Sequence, residues 1–232
     1  MQKLPKALIE ELDGLMKQLR HGNAEERGAA MSRLTAYEQS EKISLPLLIE
    51  MADETNPSLS MYAITALGRN GRPDAVRKLA AKAAALREAN PMLLETVVDA
   101  LGDTRSKEAV PALLDLLGIG NNWTSRLFGR LTRKNEEQQA KQERLRQQMM
   151  LPVARALEKI GDPRAVEATA FMLDHPEALV RCHAIRAAIN AGFTRSLDRI
   201  KQIAETDGNA TVRELAQIAL SKLGAEPPDL KN

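Results

Sequence analysis

The feature that most constrains this chain is an eleven-residue motif that occurs three times. It reads ALGRNGRPDAV at 66–76, ALGDTRSKEAV at 100–110 and ALEKIGDPRAV at 156–166. The first interval is 34 residues and the second is 56, so the second holds one period and an insertion of about 22 residues. A period of this length indicates an array of stacked repeats, each of which buries its apolar face against its neighbours.

Each copy of the motif is flanked by apolar residues at helical spacing. Val97, Val98 and Leu101 precede the second turn, and Val110 and Leu113 follow it. Alanine and leucine supply 34 and 32 of the 232 residues, whereas only six residues are aromatic. This composition favours helices and argues against an all-β fold. The repeating unit is therefore helix, tight turn, helix.

Glycine and aspartate residues in the repeated motif predict where one helix ends and the next segment begins. We expect Gly102 and Gly161 to end their helices with positive φ, because glycine adopts that conformation without strain. Asp103 and Asp162 are expected to cap the segments that follow.

The pattern predicts an all-α fold, a right-handed α-solenoid of about five two-helix repeats in a single domain, 1–232. The first and last helices are expected to be terminal half-repeats. The predicted helices are 6–20, 24–38, 43–53, 57–68, 73–88, 91–101, 107–117, 136–160, 163–173, 177–190, 195–205 and 209–223.

The segments EAVPALLDLL at 108–117, EALVRCHAIRAA at 177–188 and ATVRELAQIALSKLG at 210–224 resemble HEAT-like repeats of the phycobilisome-lyase type. The family pattern has a Val-Arg pair at the start of one helix, matched here by Arg181 and Arg213, while Ser60 occupies the equivalent place in an earlier repeat. We expect these arginines to form a ladder of hydrogen bonds and ion pairs between repeats. Members of such families are mostly protein-binding scaffolds or assembly factors, and some are lyase subunits or hydroxylases.

The insertion, 118–150, is the one part that the repeat pattern does not explain. It has seven basic and three acidic residues, a charge of +4 in a chain whose net charge is +2. Trp123, Leu127 and Leu131 share a helical stripe, which predicts a short basic amphipathic helix that docks a partner, an anionic membrane or phosphates. Alternatively, this stripe folds back on the solenoid. The candidate binding residues are Trp123 and Phe128 as aromatic anchors and Arg126, Arg130, Arg133 and Lys134 as electrostatic guides.

A second basic run spans 69–87. If the second helices of the units line the concave face, as the resemblance implies, Arg77, Lys78 and Lys82 are candidates for binding an acidic ligand. Alternatively, these basic side chains lie on an exposed helix face and are only solvated.

No catalytic or metal-binding constellation is recognisable in the sequence. His175, Cys182 and His183 lack a fourth ligand and need not share a face. Neighbouring helical residues point about 100° apart, so Cys182 and His183 are not expected to pair, and Cys182 is expected to be a buried structural thiol. No phosphate-binding glycine loop is present. We therefore expect no enzyme activity, no cofactor and no metal.

The charge balance, the single cysteine and the hydropathy limit the partners and the cellular location that this chain is expected to have. The balanced charge excludes a whole-surface nucleic-acid footprint. One cysteine, no visible secretion signal and no apolar stretch of membrane-spanning length favour a cytoplasmic protein. The sequence predicts a non-catalytic scaffold or assembly factor that binds a protein on its concave face, its insertion or both. A nucleic-acid-binding solenoid and a lyase or hydroxylase-like subunit are the alternatives.

Overall fold

The computed structural model describes residues 6–39, 45–55, 57–87, 89–119 and 136–224. Within these ranges the regular structure is helical and contains no strand, as predicted. The α-helices are α1 (Lys6–His21), α2 (Ala24–Gln39), α3 (Leu45–Met51), α4 (Pro57–Asn70), α5 (Pro73–Leu86), α6 (Pro91–Asp103), α7 (Val110–Leu116), α8 (Glu136–Ile160), α9 (Val166–Met172), α10 (Ala178–Ala191), α11 (Leu197–Thr206) and α12 (Ala210–Leu223). Single 3-10 turns, Lys107–Ala109, Pro163–Ala165 and Thr194–Ser196, lead into α7, α9 and α11.

Local sequence signals start several of these helices. Asn23 and Glu26 form a capping box, in which each side chain accepts a hydrogen bond from the other residue's backbone N–H, at 2.9 and 2.8 Å. Asn90 caps α6 by accepting from the backbone N–H of Leu93 at 3.1 Å. The expected cap at Asp162 is confirmed, since its carboxylate accepts from the backbone N–H of Arg164 at 2.8 Å.

The two glycines predicted to end helices behave differently. Gly161 has a φ of +61° and ends α8, as expected. The prediction for Gly102 is wrong, because this residue is buried inside α6. Asp103 also ends up inside α6, and its carboxylate pairs with Lys159 instead of capping the next segment, which Ser106 caps.

A close approach between helices explains the glycine at 102. A Cβ atom there would lie 2.7 Å from the Cα of Ala156 on α8. Gly68 on α4 repeats the arrangement, since its Cβ would lie 2.9 Å from the Cα of Ala100 on α6. Glycine is therefore required at these positions by the neighbouring helix and not by a turn.

The helices pack as antiparallel pairs in which α3 joins α4, α5 joins α6, α7 joins α8, α9 joins α10 and α11 joins α12. The tight glycine turns therefore join one pair to the next, and the repeat starts one helix away from the unit predicted from the sequence. At the N-terminus, α1 packs on α2 and α4. The result is a solenoid whose buried residues form one continuous apolar core.

The pairs stack into two layers with different spacing. Helices α4, α6, α8, α10 and α12 contact one another extensively, and we call them the inner layer. Helices α3, α5, α7, α9 and α11 form the outer layer, whose members contact each other much less. Because the more closely spaced layer of a curved stack lies inside the curve, the inner layer forms the concave side.

The insertion divides at residue 136. Residues 136–150 form the first part of the long helix α8, in which an apolar stripe at helical spacing, Leu145, Met149, Val153 and Leu157, faces the core. Residues 120–135 lie outside the described part of the chain, and so does the predicted basic amphipathic helix. In the described ranges, no helix combines the length and the apolar character needed to span a membrane.

Candidate partner-binding surface

The inner layer is held together by ion pairs between equivalent positions of successive repeats. Nη2 of Arg155 on α8 lies 3.1 Å from a carboxylate oxygen of Glu95 and 3.1 Å from one of Asp99, both on α6. One turn further on, Nζ of Lys159 lies 2.6 Å from Asp103. These contacts fix the register of α6 against α8 along the concave side.

The next pair of inner helices is joined around Glu158 on α8. Its carboxylate lies 2.5 Å from Nδ1 of His183 on α10, and its backbone carbonyl accepts a hydrogen bond from the side chain of Asn190 at 2.8 Å. Nη1 of Arg186 lies 3.9 Å from the same carboxylate. The row of polar contacts thus continues from α6 through α8 to α10.

At the Val-Arg positions, Arg181 forms the predicted contact between repeats, whereas Arg213 bonds within its own repeat. Arg181 donates two hydrogen bonds to the carboxylate of Asp207, at 2.8 and 2.7 Å, and a third to the carbonyl of His175 at 2.8 Å. Arg213 donates to the backbone carbonyl of Asp207 at 2.6 Å. Burial opposes ionisation of Asp207, but the hydrogen bonds from Arg181 and from the backbone N–H of Asn209 together hold its pKa below the usual value.

Ser60 resembles Arg213, because its shorter side chain also bonds within its own repeat. It is buried in α4, and its hydroxyl donates to the backbone carbonyl of Ala52 at 2.7 Å. The ladder is therefore structural, and its residues are not available to a ligand.

Large apolar side chains are exposed on four of the five inner helices. They are Met61 on α4, Met92 on α6, Leu179 on α10 and Ile218 on α12, with exposed fractions of 40, 77, 57 and 48%. None of these four residues was among the binding residues predicted from the sequence. The sequence did contain a signal of their exposure. Each of them lies outside the core stripe of its helix, at a position where other repeats carry Thr, Glu or Arg.

The predicted basic residues of α5 lie in the outer layer, so they do not line the concave side. Lys78 and Lys82 both pair with the carboxylate of Asp53, the second at 3.4 Å, and Arg77 pairs with Asp74. The hydrogen bond from Lys78 lowers the pKa of Asp53 against the opposing effect of burial. Binding of an acidic ligand by Arg77, Lys78 and Lys82 stays a prediction.

The candidate residues of the insertion cannot be placed in this geometry. Trp123, Arg126, Phe128, Arg130, Arg133 and Lys134 all lie outside the described residues. In the described part of the insertion, Arg146 on α8 stacks on the ring of Phe171 on α9, with its guanidinium carbon 4.3 Å from the ring centroid. This contact ties the long helix to the outer layer.

The residues considered above for catalysis or metal binding are buried or engaged in contacts with other residues of the fold. Cys182 is buried, as expected, and burial raises the pKa of its thiol. His183 is engaged by Glu158, and Nδ1 of His175 accepts a hydrogen bond from the backbone N–H of Glu177 at 3.2 Å. Among the described side chains, no three histidine, cysteine, aspartate or glutamate residues are grouped so that they could hold a metal ion.

Solved structures with a similar fold include natural and engineered solenoids. The chain is 22% identical to a protein in the complex of CpcE and CpcF of phycocyanin lyase from Nostoc sp. PCC7120, with a TM-score of 0.55, covering 92% of this chain and 77% of that one. A computationally designed armadillo repeat protein for modular peptide recognition is 15% identical, with a TM-score of 0.51 and coverages of 91 and 99%. An engineered protein is 16% identical, with a TM-score of 0.53 and coverages of 93 and 99%. At sequence identities of 15–22%, the similarity to these structures shows a shared fold.

The comparison with curated proteins finds no significant match. A family model for HEAT repeats matches residues 45–127 and 150–221, together about two thirds of the chain. The match begins at α3, the first helix of a structural pair, and its interruption falls within the insertion. The chain therefore belongs to the family of HEAT-repeat proteins.

Proposed function

We propose that this chain is a non-catalytic scaffold that binds a protein partner along its concave side. The observation that carries the proposal is the series of exposed apolar side chains on the inner layer, from Met61 and Met92 to Leu179 and Ile218. Four of the five large apolar side chains that are exposed among the described residues belong to this layer. Apolar side chains that form a series on one face are typical of a binding surface.

The ion pairs between inner helices support this role. Arg155, Lys159 and His183 each connect successive repeats, so the concave side is preorganised before a partner arrives. A preorganised surface loses little conformational entropy on binding. The designed relative recognises peptides, which is consistent with such a use of the fold.

The basic segment of the insertion is proposed as a second contact. Trp123 and Phe128 supply aromatic anchors, and the four cations at 126, 130, 133 and 134 guide an acidic partner. The outer-layer cations Arg77, Lys78 and Lys82 are proposed as a third, weaker contact, because each of them already has a carboxylate partner.

Site-specific photo-crosslinking tests the concave side. A benzophenone amino acid replaces Met92 or Leu179 in full-length protein incubated with lysate of the source cell, and Glu167 on the outer helix α9 is the matched control position. We expect a discrete protein adduct from 92 and 179 and none from 167. Equal adducts from all three positions, or adducts that nuclease removes, would contradict the proposal.

A second variant separates the insertion from the concave side. Residues 121–134 are replaced by a Gly-Ser linker, and the same crosslinks are recorded. Retained adducts at 92 and 179 assign the partner to the concave side, whereas their loss makes the insertion the main recognition element.

A further inference from the structure

Two exposed methionines lie on neighbouring inner helices, Met61 on α4 and Met92 on α6. Met61 occupies the position on α4 that Glu95 occupies on α6, one 34-residue period later. Met92 precedes Glu95 by almost one helical turn, and α4 packs directly on α6. Both side chains are exposed, and Met92 is the most exposed large apolar residue in the described part of the chain. Unbranched thioether side chains adapt to different apolar partners.

The carboxylates beside these methionines exceed the cations that pair with them. Glu95 and Asp99 share Nη2 of one residue, Arg155, and their side chains are 50 and 38% exposed. Helix α4 has no charged residue from 57 to 68. Helix α6 thus presents two carboxylates to the single guanidinium group of Arg155 on α8, and α4 contributes no charge beside the methionines.

The surroundings of Asp99 favour a further cation. Burial raises the pKa of this carboxyl, and the charges of Arg155 and Lys159 lower it without restoring the usual value. A cation brought to this place by a partner would stabilise the ionised carboxylate.

We infer that Met61, Met92, Glu95 and Asp99, here called the methionine patch, bind a cationic amphipathic helix of a protein partner. The apolar side chains of that helix pack on the two methionines, and its lysine or arginine side chains pair with Glu95 and Asp99. This inference rests on the proposed function, since it names the chemistry of the partner on part of the same concave side.

Peptide binding to the full-length protein tests the patch. The probe is a synthetic peptide of about 15 residues with lysines on one helical face and leucines on the other, labelled for fluorescence anisotropy. The matched probe has glutamate in place of every lysine. We compare wild type, the double variant Met61→Ser/Met92→Ser, the charge variant Glu95→Gln and the control Glu167→Gln, which removes an exposed carboxylate on the outer helix α9.

The expected result is specific to the patch. The double variant should lose about tenfold or more in affinity, the loss expected when two methionine contacts are removed, while Glu167→Gln binds as wild type does. Glu95→Gln should lose about threefold, and affinity should fall as salt rises. The thermal melts of the double variant and of Glu167→Gln should match that of wild type, because the altered side chains are exposed. The melting temperature of Glu95→Gln should fall slightly, because this variant weakens the ion pair with Arg155.

Other results would overturn the inference. One is equal binding of the lysine peptide by the double variant and wild type, and another is equal binding of the glutamate peptide by wild type. A third is self-association of wild type in sedimentation that the double variant abolishes, because the occupant of the patch would then be a second copy of this chain. The proposed function has its own test. Crosslinks from 92 to a partner without a cationic amphipathic segment would leave the scaffold role in place and overturn only the methionine patch.

Discussion

Arg181 and Asp207 form an ion pair with two hydrogen bonds between helix α10 and the turn that follows α11. The side chains are only 14 and 7% exposed, so the pair is well shielded from water. Arg181 also donates to the carbonyls of His175 and Pro176, which belong to the turn before α10. One guanidinium group therefore joins the turns of two successive repeats.

Removing one partner of this pair should destabilise the C-terminal repeats. Arg181→Ala leaves the Asp207 carboxylate shielded and without its main hydrogen-bond donor, at a cost of about 3 kcal/mol. The measurement is the free energy of unfolding from urea denaturation followed by circular dichroism. Arg186→Ala on the same helix is the control, because that side chain is half exposed and its carboxylate partner is 3.9 Å away. Equal effects of the two variants would contradict the structural role of Arg181.

The same pair predicts how stability depends on pH. The pKa of Asp207 is lower in the folded protein than in the unfolded chain, so its contribution is present above the unfolded value and is lost as pH falls through the folded value. The difference in unfolding free energy between wild type and Asp207→Asn should therefore shrink as pH falls from about 6 to about 3. Denaturation curves at several pH values measure it. A difference that stays constant over this range would show that ionisation of Asp207 contributes nothing.

The helices could be predicted from the sequence because their signals are local. Caps such as Asn90 and Asp162, the glycine at 161 and the stripe through Leu145 and Met149 depend only on nearby residues. Gly102 could not be interpreted in the same way. Its role is set by Ala156, which is 54 positions away in the chain and lies on another helix.

The candidate surface was harder to predict for the same reason. Periodicity shows that Met92 and Leu179 lie outside the core stripe, but it does not show which other helices lie beside them. The spacing between layers, which places α5 on the outer side with Arg77, Lys78 and Lys82, arises from contacts between repeats. Charge in the sequence therefore indicated basic segments, whereas the apolar surface became visible only in the structure.

Alanine in place of glycine should have opposite effects at two helical positions. Gly102→Ala places a Cβ atom 2.7 Å from the Cα of Ala156 and should destabilise the fold by about 1–3 kcal/mol, since two helix backbones must move apart. Gly14→Ala meets nothing within 4 Å inside α1 and should stabilise by up to about 1 kcal/mol through helix propensity. Thermal melts of the two variants measure both effects. A stabilising Gly102→Ala would show that the inner helices are not in close contact there.

The thiol of Cys182 should react slowly in the folded protein. It is buried, and burial raises its pKa, so both access to the sulfur and the thiolate fraction are reduced. The rate of reaction with an aromatic disulfide reagent at neutral pH should be about 100-fold or more below the rate in guanidinium chloride, because thiolate is the reactive form. The Arg181→Ala variant serves as a comparison, since loosening the start of α10 should speed the reaction. A fast reaction in the native wild type would instead indicate an accessible, activated thiol and would reopen the case for chemistry at this cysteine.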